Sequence, residues 1–199
     1  MRIIGILGGV SSGKSLVAQE LARLGAGLLD ADRAGYEVLR LPEIEAAARA
    51  RWGPEVFGPD GRIDRARLAR IVFGEPPAGP QERKFLENLT HPEIGRRLRQ
   101  EARRLSAWGP PAAVLDAPLL VEAGWERFCD RIVFVDVPRQ LRLSRAVARG
   151  WREEDFTARE GVQESLDSKR ERADVVVDNS GSPEQTRAQI ERCWHSLIG

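Results

Sequence analysis

The chain has 199 residues, 31 of them basic and 30 acidic, for a formal charge of +1. That length suits one well-filled α/β core and is short for two independent domains, so a single domain with insertions over residues 1–199 is expected. The charge balance excludes the global field of a nucleic-acid or membrane-surface binder, and any basic site must be local. Cys129 and Cys193 lack the spacing of a disulfide framework or a zinc site and read as buried free thiols. No apolar stretch reaches the roughly 18 residues that cross a bilayer and no charged-then-apolar leader opens the sequence, so a cytoplasmic protein is expected.

In chain order, the apolar run 2–7 reads as a buried strand. It leads into Gly8-Gly9-Val10-Ser11-Ser12-Gly13-Lys14-Ser15, which fits G-x-x-x-x-G-K-[ST]. A helix over 15–24 follows, with Leu16, Val17, Leu21 and Leu24 on one apolar face. A strand, a glycine-rich turn and a helix start together aim backbone N–H groups at one point, where the positive end of the helix adds to them. This is a phosphate site, with Lys14 placed for the β and γ phosphates and Ser15 for Mg²⁺. The pattern serves ATPases, GTPases and small-molecule kinases alike, so it does not name the reaction.

A second strand is expected at 27–29, followed by a mostly helical insertion over about 40–108 with helices near 42–52, 64–73 and 81–105. Strands at 112–115, 131–135 and 173–177 complete the pattern. Alternation with helices, and runs apolar throughout, predict an α/β, doubly wound, mostly parallel five-stranded sheet, with ligands at the C-terminal strand ends.

Acids stand at those ends: Asp30 and Asp32 after the second strand, Asp116 after the third and Asp136 after the fourth. A carboxylate in the crevice holds Mg²⁺ or accepts the proton of an attacking hydroxyl. Asp30 and Asp32 also fit the role of helix caps. Asp116, followed by Pro118-Leu119-Leu120 and Glu122, reads as a crevice residue, whereas Asp136 reads as a helix-start cap.

In the segment after the fourth strand, Arg142, Arg145 and Arg149 fall within an arc of about 60° on a helix. Leu143, Ala146 and Val147 form its apolar side, and the arginines project away from it. With Arg159 in the polar segment 153–163, this predicts a lid over about 139–172 that delivers guanidinium groups to a transferring phosphoryl group. Such a lid favours a kinase over a switch GTPase, and no N-K-x-D guanine signature is present. The loop Asp178-Asn179-Ser180-Gly181-Ser182 before Pro183 fits a turn with a helix cap, and equally a loop on which adenine stacks. The tryptophan Trp125 is expected to pack in the core or on the surface.

The combination resembles the dephospho-CoA kinase family across nearly the whole chain. It is carried by the P-loop, Asp30-Ala31-Asp32, Thr90-His91-Pro92, Asp116-Ala117-Pro118-Leu119-Leu120-Val121-Glu122, the arginine helix, Ala158-Arg159 with Gln163, Lys169-Arg170, and Ala173-Asp174 leading to Asp178-Asn179-Ser180-Gly181. The resemblance implies transfer of a phosphoryl group from ATP to the ribose 3′-hydroxyl of dephospho-CoA, with Mg²⁺. Asp32 is then the base or hydroxyl-orienting group, acting with Lys14 and Arg145. Gly9, Val10, Ser11, Ser12, Gly13, Lys14, Ser15, Leu16, Arg145, Arg149, Arg159, Asn179 and Gly181 are implied for the nucleotide, and Ser15 for the metal. His91, Pro118, Leu119, Leu120 and Glu122, with Asp32, are implied for the acceptor, His91 with a structural role as its alternative. The implied partner is this small molecule, with neither nucleic acid nor membrane, for a monomer or weak homo-oligomer. Ser11 stands where glycine is commoner in the family, Leu16 where threonine is frequent, and Arg142 where glutamine is frequent. Another P-loop small-molecule kinase, for a nucleoside monophosphate or sugar acid, and a nucleotide-regulated binding protein remain the alternatives.

Overall fold

A computed structural model describes residues 1–199. The chain forms two compact units, Met1–Ala31 with Gln100–Gly199, and Asp32–Arg99. Asp32 therefore opens the second unit, ahead of position 40, where the helical insertion was expected to begin.

The first unit holds a parallel five-stranded sheet in the order β2-β3-β1-β4-β5. Its strands are β1 (Arg2–Gly8), β2 (Gly27–Asp30), β3 (Ala112–Asp116), β4 (Arg131–Asp136) and β5 (Val175–Asp178). β1 is central, and its apolar run is buried on both faces, as parallel strands require. Ile4 and Ile6 pack with Val17 and Leu21 of α1 (Lys14–Arg23) and with Ile190 and Leu197 of α9 (Pro183–Ile198). Each such side chain, removed fully from water, contributes about 1.5–3 kcal/mol.

β5 starts at Val175, later than residue 173, because the Ala173 amide closes the preceding turn onto the Arg170 carbonyl. Asp174 instead ties the turn to β4: its carboxylate accepts the Ile132 amide at 2.7 Å. The segment between β4 and β5 folds as α6 (Arg139–Ala148), α7 (Glu153–Glu160) and α8 (Leu166–Glu171). Trp125 lies in the core, 7% exposed. Cys129 and Cys193 are free thiols and only partly buried.

The second unit contains α2 (Ala31–Val38, from its second residue), α3 (Pro42–Trp52), α4 (Arg65–Val72) and most of α5 (Ala78–Trp108). Asp64 caps α4, accepting the amides of Ala66 and Arg67 at 2.8 and 3.0 Å, so it lies just outside the helix. α5 continues through Pro92 and beyond both predicted ends. Its i, i+4 contacts carry it past the one backbone donor that proline lacks. Around α3, Ala48, Val56 and Phe57 form a small core of their own, with Trp52, Ile63 and Ile71 packed against it.

Candidate active site

The turn after β1 depends on unusual backbone angles. Gly13 has φ +90°, and a Cβ there would stand 2.3 Å from Asn179 Nδ2, so only glycine fits. A Cβ on Gly9 would stand 2.5 Å from Arg142 Nη1. Ser11 adopts φ +57°, the left-handed region in which glycine is the easier residue.

Lys14 reaches back over the loop, donating to the carbonyls of Gly8 and Gly9 at 3.1 and 3.0 Å. Burial pushes its pKa down from 10.5 to about 8, with the nearby cations Lys169 and Arg142 adding to the fall and Asp116 and Glu122 opposing it. The two carboxylates compensate this desolvated ammonium only in part, and a polyphosphate would supply the rest. Ser15, at the start of α1, donates from Oγ to Oδ2 of Asp116 at 2.9 Å. The P-loop and the end of β3 therefore meet at an alcohol and a carboxylate. These are hard oxygen donors of the kind Mg²⁺ takes, and one or two of them suffice when phosphates complete the shell. The donor chemistry fits the implied metal.

Around the loop, the arginine helix is not a solvated row. Arg142 is 2% exposed. Its Nε donates to the Val137 carbonyl at 3.1 Å, and its Nη1 lies 3.3 Å from the Val10 carbonyl and 2.7 Å from Glu160 of α7. Arg139 meets the same carboxylate at 2.8 Å. Burial pushes the Glu160 pKa up, but the two guanidinium groups more than offset it and hold the carboxyl below its ordinary 4.5. Arg145 is half-buried and donates to the Asn179 carbonyl at 2.8 Å, with Ser12 O at 3.5 Å. Arg149, at the end of α6, is exposed, and so is Val147, expected on the apolar side. A helix packed against the P-loop on one face and α7 on another buries a stripe that its sequence alone did not reveal. Arg159 stacks on Trp151, 4.4 Å from its centroid.

One further expectation changes. Asp136 does not cap α6, whose N-cap is Pro138 without a side-chain bond; its carboxylate pairs with Arg170 of α8 instead. Asn179 is buried, its Nδ2 donating to Ser12 O at 2.8 Å and its Oδ1 accepting from Thr186 Oγ1 at 2.8 Å. Ser182 makes a capping box with Gln185, and a Cβ on Gly181 would stand 2.1 Å from the Gln185 side chain. The side chains of this loop thus serve the turn and brace the P-loop.

At the end of β3, Leu120 is 1% exposed. Pro118 is exposed and Leu119 partly so. Glu122 pairs with Lys169 at 2.9 Å, a lysine only 1% exposed, and accepts the Glu164 amide at 2.8 Å. This buried pair had a faint signal in sequence: Lys169 is one of very few lysines in an arginine-rich chain. Val10 lies within the loop and Leu16 in the first turn of α1. Asp32, in the first turn of α2, and His91, within α5, belong to the unit Asp32–Arg99. Asp32 is exposed; His91 is half-buried, and burial lowers its pKa.

Residues 2–185 match the sequence model of dephospho-CoA kinase. The chain belongs to the dephospho-CoA kinase family. It is 41% identical over 202 residues to the dephospho-CoA kinase of Symbiobacterium thermophilum, covering 100% of this chain and 82% of that protein. The solved structure of TT1252 from Thermus thermophilus superposes with a TM-score of 0.82 at 36% identity, covering 100% and 98% of the two chains. Shikimate kinase from Aquifex aeolicus, at 17% identity and a TM-score of 0.51, covers 99% of each chain and shares the fold alone. The chain has the α/β fold class, a parallel five-stranded sheet with flanking helices, that it shares with TT1252 and with shikimate kinase.

Proposed function

We propose that the protein transfers the γ-phosphoryl group of ATP to the ribose 3′-hydroxyl of dephospho-CoA, giving CoA and ADP. The observation that carries this reading is family membership over residues 2–185, on a chain whose P-loop lysine is desolvated and short of charge compensation.

In the reaction, the 3′-oxygen forms a bond to the γ-phosphorus and the bond from that phosphorus to the β–γ bridging oxygen breaks. ADP takes the electron pair, and the hydroxyl proton passes to the carboxylate of Asp32, which orients the hydroxyl beforehand. A late proton transfer suits an ordinary carboxylate. Gly9 through Leu16 hold the nucleotide, with the N–H groups of the loop and of the first turn of α1 directed at phosphate. Lys14 compensates the β and γ phosphates, and Arg145, Arg149 and Arg159 of a lid over about 139–172 surround the moving group and exclude water. Ser15 and Asp116 would hold Mg²⁺, which when bound supplies charge neutralisation on the phosphates. Pro118, Leu119 and Glu122 with His91 serve the acceptor, and the insertion over about 40–108 is its side of the enzyme. The reaction needs no nucleic acid, membrane or partner protein, and a cytoplasmic monomer or weak homo-oligomer performs it.

ADP release measured against a panel of alcohols tests this reading. Rapid release is expected with dephospho-CoA and not with a nucleoside monophosphate, shikimate or no acceptor; turnover of another alcohol without turnover of dephospho-CoA overturns it. Asp32→Asn is expected to lower kcat by at least about 100-fold while the Kd for ATP stays within twofold, as removal of a general base does. A collapse of ATP affinity with normal residual turnover would move the proton-accepting role to Asp30 or Asp116.

A further inference from the structure

Arg142 takes no part in the transfer described above. It is 2% exposed and held on three sides: Nε donates to the Val137 carbonyl at 3.1 Å, and Nη1 lies 3.3 Å from the Val10 carbonyl and 2.7 Å from Oε1 of Glu160 in α7. A guanidinium packed against the P-loop in this way is not one that a lid carries to the phosphoryl group.

The carbonyls of the loop are held by donors. Lys14 donates to those of Gly8 and Gly9, Asn179 Nδ2 to that of Ser12, and Arg142 to that of Val10. A trans peptide points its C=O and its N–H in opposite directions, so fixing a carbonyl also fixes the direction of the next residue's N–H. For Val10 that next residue is Ser11, whose φ is +57°. Positive φ is unfavourable for a residue with a Cβ and persists only where the surroundings over-determine it.

Arg142 and its neighbours provide that constraint. The guanidinium lies so close over Gly9 that a Cβ there would stand 2.5 Å from Nη1, 2.8 Å from Cζ and 3.0 Å from Nε. The Val10 side chain is buried with Ala146 of α6 and Phe156 of α7, so Val10 is fixed at its side chain and at its carbonyl. Glu160, which also pairs with Arg139, keeps Arg142 from swinging away.

We propose that Arg142 is a positioning residue for the nucleotide: through the Val10 carbonyl it holds Ser11 in its left-handed conformation and keeps the Ser11 N–H directed at phosphate, with Glu160 holding the guanidinium in place. This rests on the ATP half of the kinase reading above and asks nothing of the acceptor. Arg142 then acts through the backbone of the loop and not by placing its charge on the moving group.

The test is a double-mutant cycle on Arg142→Met and Ser11→Gly in the whole protein, read by equilibrium dialysis of ATP with Mg²⁺ and by steady-state kinetics. Arg142→Met is expected to raise Kd and KM for ATP at least about fivefold, as loss of a hydrogen bond from a charged group does, with KM for dephospho-CoA within about twofold. Glycine takes positive φ without the cost that a Cβ brings. Ser11→Gly added to Arg142→Met is therefore expected to recover at least about threefold of the lost affinity, and to gain less than that with Arg142 present. A merely structural role for Arg142 would lower the melting temperature and leave the two substitutions additive. A smaller rise in Kd, or additive effects, overturns the proposal. If Arg142→Met cannot be purified folded, Glu160→Gln takes its place in the cycle, with a rise in Kd of at least about twofold, recovered by Ser11→Gly, as the expected result. If wild type binds ATP but does not turn over dephospho-CoA, the kinase reading fails and dialysis alone decides on Arg142; if wild type binds no ATP, both fall.

Discussion

Oγ of Ser15 donates a 2.9 Å hydrogen bond to Oδ2 of Asp116, joining the first turn of α1 to the C-terminal end of β3. These residues are 101 positions apart, and the sheet brings them together because β3 is the direct neighbour of β1. If the pair holds Mg²⁺ at the phosphates, losing either partner weakens the metal more than the fold. Ser15→Ala and Asp116→Asn are each expected to lower kcat/KM for ATP by about 10- to 100-fold, as loss of a metal's supporting oxygens does. A magnesium titration checks this: the half-saturating concentration should rise while the melting temperature stays within a few degrees.

Lys14 illustrates a conflict between stability and function. Because its folded pKa is about 8 against an ordinary 10.5, the unfolded chain binds the proton more tightly, and stability rises with pH across that window. Near pH 7 the charged ammonium therefore opposes folding. Lys14→Met is expected to abolish most turnover and yet raise the melting temperature of the nucleotide-free protein by about 2–4 °C, the equivalent of roughly 1 kcal/mol in a chain this size. Calorimetry at pH 7 and pH 10 checks it: the gain should shrink at the higher pH.

Glu160 makes the opposite prediction at acid pH. Its carboxyl is held below 4.5 by Arg139 and Arg142, so its contribution is full above about pH 4.5 and is lost as pH falls through the folded value. Glu160→Gln leaves the buried Arg142 without its counter-ion and should cost about 1–3 kcal/mol at pH 7, since a buried charged group loses its partner. Urea unfolding at pH 7 and pH 3.5 checks this, with the difference between variant and wild type narrowing at the lower pH. Because Arg142 also touches the Val10 carbonyl, KM for ATP should rise.

The pair Lys169 and Glu122 is buried on the lysine side and should be costly to break from one side only. Lys169→Met is expected to destabilise by about 3–5 kcal/mol, because it strands the carboxylate. Glu122→Gln added to it should recover part of that loss, a coupling read from the double-mutant cycle in urea.

Much of this was legible in the chain itself. The P-loop is written locally: a buried strand, glycines at the turn and a lysine and serine at the helix start are neighbours in sequence, and their chemistry follows from adjacency. The α/β alternation was equally open, because short apolar runs recur between helical segments, although β2 and β5 lie at the sheet edges and expose Leu28 and Val176. The caps of α4 and α9 lie next to the helices they start. Even the awkward serine in the loop, Ser11, was visible as a departure before its positive φ explained it.

What only the tertiary structure decided are the partners across the fold. Helical periodicity put Arg142 and Arg145 on one face but could not say that α7 and the P-loop would cover that face and bury Arg142. Asp136 looked like a cap until α8 returned Arg170 to it, and only the fold brings the Asn179 amide to Ser12, 167 positions away. A propensity or a cap is decided by the few residues beside it, whereas a buried charge is satisfied by whichever element the strand order delivers. The sequence by itself determined that phosphate binds after β1; the sheet order decided which distant side chains hold that loop in shape.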